Sequence, residues 1–236
     1  MKNDTDAAPW DVIIIGGALS GASTACLLLR RNPRLRVLIL ERDEHLGRRV
    51  GESTVEVSSY FLGRVLGLTP HLQEKHLVKQ GLRFWFKNDR TTSLADCSET
   101  GPGYNVRLPG YQVDRAVLDE EVLARAVAAG AVLRRPVNVR AVGLAAGGMQ
   151  TVTWEDSSGG GGSERARWLV DASGVAAFLA RGNGWLTPNA EHPIASVWSR
   201  WSGVANWDSQ ELADQFPEWA GRTKATRSTA TNHLVG

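Results

Sequence analysis

The chain has 236 residues, 42% hydrophobic and 22% charged, and its 27 Lys and Arg nearly balance 25 Asp and Glu for a formal charge of +2. That composition predicts a globular protein with a sizeable core, and near-neutral charge without a long basic run argues against a nucleic-acid partner. There is no apolar run of about 18 residues and no signal-peptide core near the N-terminus, which predicts a cytoplasmic protein without a membrane span.

Residues 12–15 are a continuous apolar run bounded by glycine, which predicts a strand buried on both faces. The following SGASTACLLLRRNP predicts a helix that stops at Pro33, and LRVLILER a second strand ending in acid. Together they make a βαβ unit of about thirty residues. Ser53 and Glu56 form a capping-box pattern ahead of the spacing Val57, Tyr60, Phe61 and Leu66. LRFWF (82–86) reads as a strand, and residues 114–130 as an amphipathic helix with Asp114 as N-cap and Gly130 as C-cap. Three β-rich segments follow, PVNVRAVGL, MQTVTWED and RARWLVDAS. The glycine run 159–162 lies between two of them and reads as a hairpin tip in preference to a linker. Six of the nine tryptophans lie at or after Trp168, and IASVWSRWSGVANW (194–207) reads as the first strand of an aromatic-rich second layer.

The stretch DVIIIGGALSGAS (11–23) nearly spells the dinucleotide fingerprint G-x-G-x-x-G. Gly16 and Gly21 take its first and third glycine positions, while Ala18, preceded by Gly17, stands in the middle one. Glu41, about twenty residues past Gly21, is placed to accept hydrogen bonds from ribose hydroxyls and would repel a 2′-phosphate. The alternatives are a plain glycine turn and a solvated turn acid. Spacing does not separate FAD from NAD. Cys26 and Cys97 match no metal or redox spacing, so no metal site is expected.

GGALSGAS, the Glu41 and Arg42 pair, VGEST (50–54), residues 111–131 and WLVDASG (168–174) together resemble the FAD-dependent oxidoreductases of the flavin monooxygenase and tryptophan halogenase superfamily. The resemblance implies an α/β, Rossmann-like FAD/NAD(P)-binding fold, a parallel sheet with a β-meander, plus the start of an antiparallel substrate-domain sheet. It divides the chain into an FAD-binding domain over 1–190, with a substrate-layer segment at about 80–112, and the beginning of a substrate-binding domain over 191–236. FAD is the implied cofactor. Gly16, Gly17, Ala18 and Gly21 would cradle its pyrophosphate, Glu41 would hold the ribose with Arg42 beside it, and Val139 would offer backbone groups to adenine. Arg115 resembles a position near the cofactor, its alternative being a first-turn surface arginine. VKQGLRFWF resembles the halogenase arrangement in which a lysine carries or orients hypohalous acid, which puts Lys79 in the catalytic role; the alternative is a solvated charge. The implied activity is oxidation or halogenation of an aromatic or electron-rich small molecule by reduced flavin and O2.

The W-x-W-x-I-P and G-D-A-x-x-x-x-P segments of such enzymes do not occur, so the chain resembles their N-terminal portion and is expected to rely on a flavin reductase or on a second chain completing the fold. A split FAD-binding module without its own activity, or a nicotinamide-dependent dehydrogenase, are the competing functions.

Overall fold

Two short apolar strands, residues 10–15 and 37–40, hold the centre of the first unit because their side chains are buried on both faces. The computed structural model describes residues 8–79, 84–87, 89–93, 96–100, 108–195, 197–203, 209–218 and 220–221. These fall into two units, one of residues 1–48 and 116–195, the other of 49–115 and 196–236.

In the first unit, β1 (Trp10–Ile15) leads through α1 (Leu19–Arg31) to β2 (Val37–Leu40). Later come β7 (Val132–Arg134), β8 (Val137–Gly143), β9 (Gln150–Asp156) and β10 (Gly161–Asp171). They form one sheet of order β7-β2-β1-β10-β9-β8. β7, β2, β1 and β10 run parallel, whereas β8, β9 and β10 form an antiparallel meander. β10 serves both parts, pairing with β9 through Gly161–Ala166 and with β1 through Ala166–Asp171. Ile13, Ile14, Leu38 and Ile39 are fully buried, each contributing about 2 kcal/mol by leaving water. Ile13, Leu38, Leu40, Val137, Val152 and Ala166 pack as one cluster, flanked by Trp10 and Trp154.

α1 ends at Arg31, two residues before Pro33, as the proline requires. The helix of residues 114–130 appears as α4 (Arg115–Ala128). It closes with Gly130 donating to the Val127 carbonyl and Ala131 to that of Ala126 while Gly130 adopts φ +109°, a Schellman stop. The glycine run is a hairpin tip, since Gly161 pairs with Glu155 and the Asp156 carboxylate accepts the backbone N–H groups of Ser158 and Gly160.

The second unit contains α2 (Glu56–Tyr60), a π-helical turn (Phe61–Val65), α3 (Thr69–Lys75) and α6 (Gln210–Gln215), the last numbered after α5 (Phe178–Gly182) of the first unit. It also holds two small antiparallel sheets, β3 (Leu77–Lys79) with β6 (Gly110–Gln112) and β4 (Phe84–Phe86) with β5 (Ser98–Thr100). Residues 82 and 83 of the expected strand lie outside the described residues.

Two expectations are corrected here. No capping box forms: Val55 is the N-cap of α2 and no side chain caps it. Ser53 instead makes a β-bridge with Gln112, and the Thr54 N–H donates to Tyr111, so strand pairing claims the backbone that a cap would have used. Nor do the described residues of 194–207 form a strand; Trp198 and Trp201 are exposed there. Residues 196 and 204–207 lie outside the described set.

Candidate active site

The glycine-rich turn lies between the C-terminal end of β1 and α1. Gly16 has φ +100°, and a Cβ on it would sit 2.4 Å from the Ala172 carbonyl oxygen. A Cβ on Gly21 would meet the Gly16 oxygen at 1.9 Å. Both positions therefore require glycine, one to make the turn and one to let helix and strand close on each other. Ala18 does not: it is the N-cap of α1 with φ −68° and ψ −171°, extended backbone open to any residue. α1 begins with no side-chain cap and no acid in its first turn, which suits a phosphate at the positive end of the helix dipole.

Glu41 follows β2 directly and is buried. Its Oε2 accepts the Gly17 N–H at 2.6 Å and its Oε1 the Asp43 N–H at 2.9 Å. A Cβ on Gly17 would crowd the Glu41 side chain at 3.2 Å, so a small residue there lets carboxylate and turn share one edge. Arg42 is exposed, its Nε 3.6 Å from Asp43. The Val137 N–H donates to the Glu41 carbonyl at 2.8 Å. Strand alternation turns the backbone groups of Val139, on the outermost strand β8, to that same side.

Sequence reasoning missed several supports of this edge. Glu120 of α4 accepts from Arg135 at 2.8 and 3.1 Å and from the Leu46 N–H at 2.7 Å, clipping down the loop after Glu41. Burial raises the Glu120 pKa, but the Arg135 and Leu46 hydrogen bonds outweigh it and leave the carboxyl below its ordinary range. Asp171 ends β10 and accepts from the Ser173 N–H and hydroxyl and the Leu179 N–H. Burial again opposes, and those bonds again prevail to hold its pKa down. This organises the turn that brings Ala172 against Gly16. The WLVDASG stretch was the available signal for Asp171; nothing local marked Glu120.

In the second unit, Lys79 ends β3 and is only 3% exposed. It is not a solvated charge. Its Nζ donates to the Thr54 carbonyl at 2.8 Å. Burial pulls its pKa below the ordinary lysine value, partly offset by Glu56. Arg115, the first residue of α4, donates from its guanidinium to the Val50 carbonyl at 3.1 Å and from its backbone N–H to Glu52 at 3.4 Å. Arg200 bridges Glu52 and Asp114. Arg115 is thus half-buried and braces the 50–54 loop. The Asp114 N–H, just before α4, donates to Nδ1 of buried His76 at 3.1 Å.

The fold therefore gathers Gly16, Gly17, Ala18, Gly21 and Glu41 at one edge of the first unit, with Arg42 and Val139 flanking it, while Lys79 and Arg115 belong to the second unit. Among the described residues no group of three or more His, Cys, Asp or Glu could hold a metal ion, and no helix is long and apolar enough to cross a membrane.

The side-chain-free turn, the uncapped helix start and the buried carboxylate fit an adenine dinucleotide, and comparison with known proteins says which. The chain is 34% identical over 133 residues to the flavin-dependent halogenase chlA of Dictyostelium discoideum, covering 52% of this chain and 22% of chlA. Among solved structures it resembles the myxobacterial chondrochloren halogenase CndH, with a TM-score of 0.59 and 26% identity over 70% of this chain and 37% of that one. Its fold also matches the halogenase PltM in complex with phloroglucinol and FAD, with a TM-score of 0.61 and 22% identity over 74% of this chain and 36% of that one. The chain spans well under half the length of each of these relatives. The model of the FAD dependent oxidoreductase family matches residues 11–233, nearly the whole chain from β1 onward, so this protein belongs to that family and FAD is its cofactor.

Proposed function

We propose that this chain is the flavin-binding and lysine-bearing portion of a flavin-dependent halogenase acting on an electron-rich aromatic small molecule. Reduced FAD, when bound, supplies the electrons that activate O2. Every other role falls to the chain's own groups. The Gly16–Gly21 turn and the start of α1 hold the pyrophosphate, Glu41 accepts from the ribose hydroxyls with Arg42 at the rim, and the backbone of Val139 lies toward adenine. Arg115 braces the 50–54 loop. Lys79 orients the oxidised halogen species by hydrogen bonding, or accepts the halogen on its nitrogen, before transfer to the aromatic ring.

The observation that carries this reading is the burial of Lys79 with its amine on a backbone carbonyl. A buried lysine gives up its proton more readily than a solvated one, leaving a lone pair for an electrophile. The halogenases among its relatives support the same reading. In this reading a separate flavin reductase supplies electrons, a second chain completes the fold where needed, and the protein works in the cytoplasm.

The test supplies the protein with FAD, a flavin reductase, bromide and phloroglucinol, the compound bound by PltM. Lys79→Met should abolish brominated product while reductant oxidation continues. Equal bromination by both proteins would overturn the halogenase reading and leave a flavin oxidoreductase of another kind.

A further inference from the structure

Lys79 and the 50–54 loop are joined through β6, a strand that the proposed chemistry leaves without a role. Thr54 is fixed to Tyr111 three times over: its N–H and its hydroxyl donate to the Tyr111 carbonyl at 2.9 and 2.8 Å, and its Oγ1 accepts the Tyr111 N–H at 2.7 Å. The neighbouring Gly110 pairs with Lys79 across the β3–β6 ladder. A Cβ on Gly110 would lie 2.7 Å from the Thr54 oxygen and 3.6 Å from the Lys79 carbonyl oxygen. The missing side chain is what lets the carbonyl stand where the lysine reaches it.

We propose that Thr54 and Gly110 are positioning residues for Lys79, setting the direction of its amine through the Thr54 carbonyl. A lysine side chain loses much of its rotamer freedom when held in one orientation, and a buried amine needs an acceptor to offset its lost hydration. The carbonyl meets both demands. It occupies one N–H direction and leaves the rest of the nitrogen's valence for a reacting species. The acidic side chain acting on the amine is Glu56 of α2, and Tyr111 is the titratable residue of β6.

The catalytic consequence rests on the halogenase reading, but the geometry is testable without flavin or substrate. The full chain is labelled with 13C-lysine and the Lys79 Cε resonance, assigned by its absence in Lys79→Met, is titrated with pH. Thr54→Val removes the hydroxyl anchors and should lower the Lys79 midpoint by about one pH unit, the scale of one weakened hydrogen bond to a charged group. Thr54→Ser keeps the hydroxyl and should restore it. Gly110→Ala should shift it in the same direction; should that variant not fold, the Thr54 pair decides alone. An unchanged or raised midpoint in folded Thr54→Val overturns the inference. Product formation by Lys79→Met decides the halogenase reading separately, so either can fail without the other.

Discussion

At the scale of single residues, the glycine turn and the carboxylate beside it were legible because their parts are local. Gly16, Gly17, Gly21 and Glu41 fall within one βαβ unit, and spacing alone put them in register. Ala18 stands where the fingerprint has its middle glycine, and its extended backbone shows that the conformational demand for glycine lies at Gly16 and the steric one at Gly21. Lys79 was harder to read. Its burial depends on Thr54 and Gly110, 25 and 31 positions away in opposite directions, and no local pattern announces such a meeting. The Glu41 role has its own test. Glu41→Ala removes the carboxylate acceptor and should weaken FAD binding by about 10- to 100-fold, the range of a strong hydrogen bond. Quenching of flavin fluorescence during titration measures this, and an unchanged Kd would remove Glu41 from the ribose site.

Elements were legible where their signals agreed. α4 combined an apolar stripe with a glycine stop, and the glycine run between two strands became a hairpin because Asp156 ties its tip to the backbone. They were misread where two signals competed. Ser53 and Glu56 satisfied the capping-box spacing, but Thr54 was already committed to Tyr111 and extended backbone prevailed. The stop of α4 offers a clean comparison. Gly130 has φ +109° with open space around it, so Gly130→Ala costs backbone strain and no clash. It should lower stability by about 1 kcal/mol, read as a fall in the urea midpoint. Gly47→Ala, also in open space but without positive φ, should change the midpoint little.

For the molecule as a whole, the βαβ unit and the later strands were read from apolar runs and the sheet with its meander from the family resemblance, whereas the division into units did not surface in composition. The chain leaves the first unit at residue 48 and re-enters it at 116, with no glycine- or proline-rich linker at either crossing. Part of what holds the first unit together is ionic. Glu120 and Asp171 both have folded pKa values below their ordinary ones. Each therefore contributes stability that is fully present above the unfolded-state pKa near 4 and lost as pH falls through the folded value. The melting temperature should fall as pH drops below about 4.5, and Glu120→Gln should reduce the steepness of that fall while lowering stability at neutral pH. Melting curves over this range check both statements, and an identical acid profile in the variant would show that Glu120 has no part in it.

The double duty of β10 also governs the order of assembly. β1 is synthesised well before β10, one of its two neighbours in the sheet: the Trp10 indole donates to Glu164, 154 positions away. The wall against which the Gly16 turn closes, the Ala172 carbonyl, is made later still. Such distant pairing slows folding because loop closure must precede its reward. The nascent βαβ unit therefore waits with one flank of its leading strand unpaired, and the Gly16 turn gains its wall only once synthesis has passed Ala172.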